Sequence, residues 1–265
     1  MRIATWNVNS VRQRLDRLLD WLARSEVDVA CLQEIKCVDE AFPRAEIEAL
    51  GFNVETHGQK TFNGVALLSR HRLSDVTRGL DGDPEDAQAR YIEALVEGPG
   101  GDVVRVASVY LPNGNPAPGP KYDYKLAWTA RLKRRAAELM ALEEPFALAG
   151  DFNVIPSAED VARPDAWRAD ALFLRPSRAA LGELVALGLT DAVRAATSPP
   201  GPYTFWDYQA GAFGKNDGIR IDHVLLSPQA ADRLVAVAVD RDMRAREKPS
   251  DHVPVRVDLA PRAGA

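Results

Sequence analysis

Short apolar runs rich in β-branched residues recur from one end of the chain to the other: IATWNV, DVACLQ, GVALLS, VVRVASVYL, FALAGDF, IDHVLLS and VPVRVDL. Runs of this length bounded by turn residues read as buried strands. None approaches the ~18 consecutive apolar residues of a membrane helix. Between some of them the period changes. Residues 11–24 set Val11, Leu15, Leu18, Leu19 and Leu22 on one stripe opposite arginines and aspartates, which predicts an amphipathic helix with Ser10 and Gln13 as a capping box at its start. A second helix is expected from about Tyr122 to Leu142, burying Leu126, Leu132, Leu139 and Met140, and a third over residues 177–187. Strands interleaved with helices make an α/β chain, either one doubly wound sheet or a two-sheet sandwich flanked by helices. Spacing alone does not choose between them.

The Gly- and Pro-rich stretches 111–120 and 198–202 have strand-like runs on both sides, so they are expected to be long surface loops of one domain spanning 1–260. Residues 261–265, PRAGA, are expected to form a frayed tail. A net charge of -5 argues against a protein that coats nucleic acid nonspecifically, yet permits a local basic surface around an acidic site. The two cysteines are Cys31 and Cys37. Cys31, inside an apolar run, is expected to be a core residue. With no basic-then-apolar leader, a reducing cytoplasm is the simplest expected compartment.

Several of these runs end in groups able to bind a metal or polarise a phosphate. ATWNVN delivers Asn7 and Asn9, ACLQE delivers Glu34, SVYLPNG delivers Tyr110, and LAGDFN delivers Asp151 and Asn153. Alternation along an extended chain puts Asp151 and Asn153 on one face with Phe152 on the other, although Gly, Asp and Asn are also ordinary turn residues. Near the other end, Asp222 begins a run, and Asp251 and His252 precede the last one. If these late strands oppose the earlier ones, all of these residues meet at one edge. Each has an ordinary explanation alone: a loop backbone satisfied, a surface charge, a buried aromatic or imidazole. Together they form an oxygen-rich set suited to Mg²⁺ or Mn²⁺, with His252 as a proton carrier, while zinc lacks a Cys/His cluster.

The segments TWNVNSVR, LQEIK, GVALLSR, VYLPNG, AGDFNVIPSAEDV, GIRIDHVLLS and KPSDHVPV occur in the order and approximate spacing of the exonuclease III family of AP endonucleases, within the endonuclease/exonuclease/phosphatase superfamily, which the chain resembles from about residue 1 to 259. The resemblance implies a DNase I-like four-layered α/β sandwich, two mixed β-sheets packed face to face with helices outside. It implies Mg²⁺-dependent cleavage of duplex DNA 5′ to abasic sites, with 3′-to-5′ exonuclease and 3′-phosphatase activity on blocked 3′ ends, by a monomer in the cytoplasm at the nucleoid. It also implies roles. Glu34 is the principal metal ligand, with Asn7 and Asp251 at the ion and Asp151, Asn153 and His252 also in the metal and phosphate set. Asp222 orients His252, and either Asp151 takes the proton from water or the Asp222/His252 pair does while Asp151 serves the leaving oxygen. Asn153 bonds the phosphate, and Tyr110 stands where the DNase I branch has histidine. Arg90 falls where relatives place a phosphate-contacting arginine; Lys60, Arg90 and Lys121 are the candidate basic DNA contacts, and the aromatic cluster 205–208, with Phe205 and Trp206, is expected to fill the space of the missing base. Ser10 stands where most relatives have glycine, a change attributed to helix capping, and the aromatic order Phe205-Trp206 is reversed in a bacterial relative. A phosphodiesterase acting on RNA, inositol phosphate or lipid substrates is the alternative within the superfamily. A catalytically silent DNA-binding module is the alternative outside it, disfavoured because so many carboxylates facing a polyanion need a cation.

Overall fold

The computed structural model describes residues 1–262; the tail expected at 261–265 lies outside the described residues from 263 onward. Two six-stranded mixed sheets carry the chain. In spatial order the first is β11 (Leu234–Val239), β12 (Val255–Leu259), β1 (Arg2–Asn7), β2 (Val29–Gln33), β4 (Val65–Ser69) and β3 (Asn53–His57). The second is β5 (Arg72–Arg78), β6 (Tyr91–Glu97), β7 (Val103–Tyr110), β8 (Phe146–Asp151), β10 (Asp222–Leu226) and β9 (Thr190–Asp191). Each of the seven apolar runs contributes a strand.

Alternation explains why the central runs look continuously apolar. In β2, Val29 and Cys31 point between the sheets, where they meet Val104, Val106, Ala147 and Ala149, whereas Ala30 and Leu32 point outward to helix α1 (Leu15–Arg24). Both faces of such a strand are dry, so no polar residue breaks the run. On the far side, Val109, Phe146 and Leu148 pack against Trp128, Leu132 and Leu139 of α3 (Pro120–Met140) and against Leu181 and Leu184 of α4 (Arg175–Val185), the short α2 (Arg44–Glu48) lying with the first sheet. Three apolar clusters therefore separate four layers: helix, sheet, sheet, helix. Cys31 is fully buried in the middle one, and burial raises its thiol far above the ordinary value.

One expected cap is absent. Helix α1 begins at Leu15 with no side-chain hydrogen bond at its start, and Ser10 lies five residues earlier at φ 83. Ser10 occupies a left-handed turn in which its N–H donates to Glu34 O at 2.8 Å. Glycine adopts that conformation without strain, so the backbone here favours glycine, and Ser10 caps no helix.

Candidate active site

Strand direction collects the polar residues. β1 and β2 run parallel, as do β7 and β8, so Asn7, Gln33, Tyr110 and Asp151 end at one edge of the sandwich. β12 opposes β1 and β10 opposes β8, which brings the starts of the late strands to the same edge; Asp222 is the direct cross-strand partner of Asp151. The result is a pocket of about 320 Å³ whose polar wall includes Glu34, Tyr110, Asn113, Asp151, Asn153, Asp251 and His252. Its apolar wall is Phe205, Ile221, Leu172 and Trp167.

The turns leaving the strands aim the side chains. Asn9, Glu34, Lys36 and Asn153 all have left-handed backbone, at φ 45, 52, 54 and 47. Such conformations cost about 1–3 kcal/mol each and concentrate at functional sites. β8 stops at Asp151, whose Oδ1 accepts the Asn153 N–H at 2.9 Å. Asp151 and Asn153 thus share the pocket through a turn rather than through strand alternation, while Phe152 packs on the outer cluster. The Asn153 amide is fixed by donation to Leu111 O at 2.8 Å and by acceptance from Asn113 Nδ2 at 3.2 Å.

His252 sits between two carboxylates. Its Nδ1 lies 2.9 Å from Asp222 Oδ2, its Nε2 lies 3.7 Å from Asp151 Oδ2, and the Phe205 ring meets its edge with centroids 5.0 Å apart. Burial alone would push the imidazole down, but the charges of Asp222 and Asp151 outweigh it and hold His252 at about 10. Asp151 moves up to about 7 because burial penalises its charge and Asp222 adds to this, with His252 opposing. Glu34 goes the other way: burial would raise it, yet the Lys36 ammonium and the Asn7 amide keep it below its ordinary value. Burial, reinforced by Glu34 and Asp151, raises the Tyr110 hydroxyl well above 10, so it stays protonated.

The expected ligand set divides. Lys36 Nζ donates to Glu34 Oε2 at 2.7 Å and to Asn9 Oδ1 at 2.6 Å, and Asn9 Nδ2 donates to Asp251 Oδ1 at 3.1 Å. The Lys36 ammonium is thus held by the oxygens of Glu34 and Asn9, and hard oxygen donors of this kind suit Mg²⁺. Asp151, Asn153 and His252 form a neighbouring network, bonded to one another, Asn7, Asn113 and Asp222. Asn7 faces both halves through its nitrogen, donating to Glu34 Oε1 at 2.8 Å and Asp151 Oδ2 at 3.0 Å, while its oxygen accepts from Asn9 N–H. It spaces the two carboxylates apart. Among the described residues no three His, Cys, Asp or Glu side chains converge as a ligand group, because amides and Lys36 intervene.

The expected DNA contacts fare unevenly. Phe205 is on the pocket wall, but Trp206 is only 1% exposed, its ring packed in the core against Phe213 and Tyr203, so it cannot touch a sugar. Arg90 lies behind Tyr110, its guanidinium 4.8 Å from the ring centroid. Lys60 and Lys121 are exposed and outside the pocket wall. Sequence reasoning missed Lys36, Asn113 and the buried Lys125, whose Nζ donates to Asn113 O and Asn153 O. Lys125 was detectable in principle, since it falls on the stripe of α3 that buries Tyr122, Trp128, Leu132 and Leu139.

Residues 4–252 match the profile of the endonuclease/exonuclease/phosphatase family. The chain is 36% identical over 263 residues to exodeoxyribonuclease III of Haemophilus influenzae, covering 96% of this chain and 98% of that one. It superposes with a TM-score of 0.92 on the 3′ phosphatase NExo from Neisseria bound to a product DNA hairpin, at 39% identity, covering 98% and 99% of the two chains. An AP endonuclease from Archaeoglobus fulgidus gives a TM-score of 0.90 at 35% identity, with the same coverage.

Proposed function

The chain belongs to the endonuclease/exonuclease/phosphatase family, and from that premise we propose that it is a metal-dependent DNA repair nuclease that uses Mg²⁺ to cut duplex DNA 5′ to abasic sites and to clear blocked 3′ ends. On this reading it works as a monomer, one domain over 1–260, in the cytoplasm at the nucleoid. No helix among the described residues is long and apolar enough to cross a membrane.

The observation that carries the proposal is the Asp222–His252–Asp151 array placed beside the Glu34 and Asp251 carboxylates in one pocket. Glu34 and Asp251 would hold the ion, which when bound neutralises charge on the phosphate. His252, cationic at neutral pH, has no lone pair left to accept a proton, and its charge stabilises the phosphorane oxygens. Proton transfer falls to Asp151, whose value of about 7 lies near working pH, where a general base or acid is most effective. Asp222 fixes the imidazole through Nδ1 and leaves Nε2 facing the reacting centre. Asn153 and the protonated Tyr110 bound the phosphate side. Phe205, Ile221 and Leu172 give an apolar wall for a sugar that carries no base.

The test is incubation with Mg²⁺ and a duplex bearing one abasic analogue, beside undamaged duplex, a 3′-phosphate-ended duplex and a small phosphodiester. Incision 5′ to the analogue and release of 3′-phosphate, both abolished by chelator, are expected. Hydrolysis of the small ester alone would place the chain among the non-DNA phosphodiesterases instead.

A further inference from the structure

Helix α3 turns a lysine amine inward. Lys125 is 0% exposed, and its Nζ donates to the backbone carbonyls of Asn153 at 2.6 Å and Asn113 at 3.0 Å. Both acceptors lie in turns that build the pocket wall. The same two residues meet again through Asn113 Nδ2, which donates to Asn153 Oδ1. Asn153 in turn donates its N–H to Asp151 Oδ1. A continuous set of bonds therefore runs from the amine, through the Asn153 backbone, to the carboxylate.

The loop is shaped around this side chain. Gly114 has φ +90, and a Cβ there would come within 2.6 Å of Lys125 Cδ. Packing alone does not call for a lysine at a fully dry position, since desolvating its charge is costly and an apolar side chain of similar length would fill the space.

We propose that Lys125 is a positioning residue for hydrolysis: it clamps the 111–115 loop to the turn after β8 and so fixes the direction in which the Asp151 carboxylate points. The inference rests on the proton-transfer role of Asp151, and Asp151→Asn is therefore measured beside it.

In the full chain with Mg²⁺ and abasic-analogue duplex, kcat, KM and the thermal midpoint are determined for wild type, Lys125→Met and Asp151→Asn. Lys125→Met is expected to keep a folded chain with a thermal midpoint within a few degrees of wild type, lower kcat on the order of 10- to 100-fold, and leave KM within about threefold, as for a misaimed catalytic group. An inactive Asp151→Asn beside a Lys125→Met of wild-type kcat overturns the Lys125 inference alone. So does a Lys125→Met whose kcat falls only together with its midpoint or with a matching rise in KM. An active Asp151→Asn overturns the underlying reading. Should Lys125→Met fail to fold, Gly114→Ala, whose methyl presses on the lysine stem from the loop side, must show the same kcat loss at unchanged KM, and wild-type kcat in it overturns the proposal.

Discussion

Asp151 accepts bonds from Asn7 and from Asn153 and faces His252, so replacing it with asparagine changes its chemistry while preserving most of its contacts. Asp151→Asn is expected to lower turnover by about 10³-fold or more with DNA affinity nearly unchanged, measured by single-turnover kinetics and equilibrium binding. The same residue predicts a pH effect on stability. The folded values of Asp151 and His252 lie at about 7 and about 10, above the ordinary 3.8 and 6.5. A raised value stabilises fully below the ordinary one and is lost as pH rises through the folded one. The Asp151 share is thus complete below about pH 4 and gone above about 7. In metal-free melts, wild type should lose stability relative to Asp151→Asn between those limits; a constant difference would show that burial does not raise this carboxyl. At Ser10 the left-handed backbone gives a simpler expectation: Ser10→Gly stabilises by about 0.5–1 kcal/mol in denaturant titration, strain relief exceeding the added chain entropy.

Among elements, β8 is wedged so closely between β7 and β10 that a Cβ on Gly150 would fall 1.8 Å from Val109 O. Gly150→Ala should therefore cost about 3 kcal/mol or more and lower the thermal midpoint sharply, since the obstacle is backbone and cannot rotate away. Elements were legible where both faces are dry. β2 and β8 read directly, and α1 and α3 were found within a few residues of their ends, with the Ser10 cap misassigned because turn geometry has no sequence period. β5 and β11 went unread because they are half-exposed edge strands whose side chains alternate weakly. β6 escaped for the opposite reason: it buries Glu93 completely, paired with Arg105 and Arg135, and a charge in a core strand imitates a loop.

For the whole molecule, a net charge of -5 means that DNA attraction on the proposed reading would be local and short-ranged. Affinity for duplex should fall at least about tenfold between 50 and 200 mM salt, and a flat dependence in a titration would exclude phosphate contacts. The site was legible to the extent that its residues terminate strands: Asn7, Glu34, Tyr110, Asp151, Asp222, Asp251 and His252 do converge. Residues behind the wall end no strand. Trp206 was expected to contact DNA until the fold enclosed it, and neither Lys36 nor Lys125 was singled out.

β12 lies against β1 in the first sheet, so Val255–Leu259 closes on Arg2–Asn7 and the segment carrying Asp251 and His252 arrives just before it. During synthesis Glu34, Tyr110 and Asp151 emerge from the ribosome well before Asp222, Asp251 and His252, with which they share one pocket edge in the fold. On the proposed assignment, a chain that has not yet added Asp222, Asp251 and His252 would lack the histidine and both of its flanking late carboxylates, so assembly of the site would wait for the β10 and β12 segments to pair with β8 and β1.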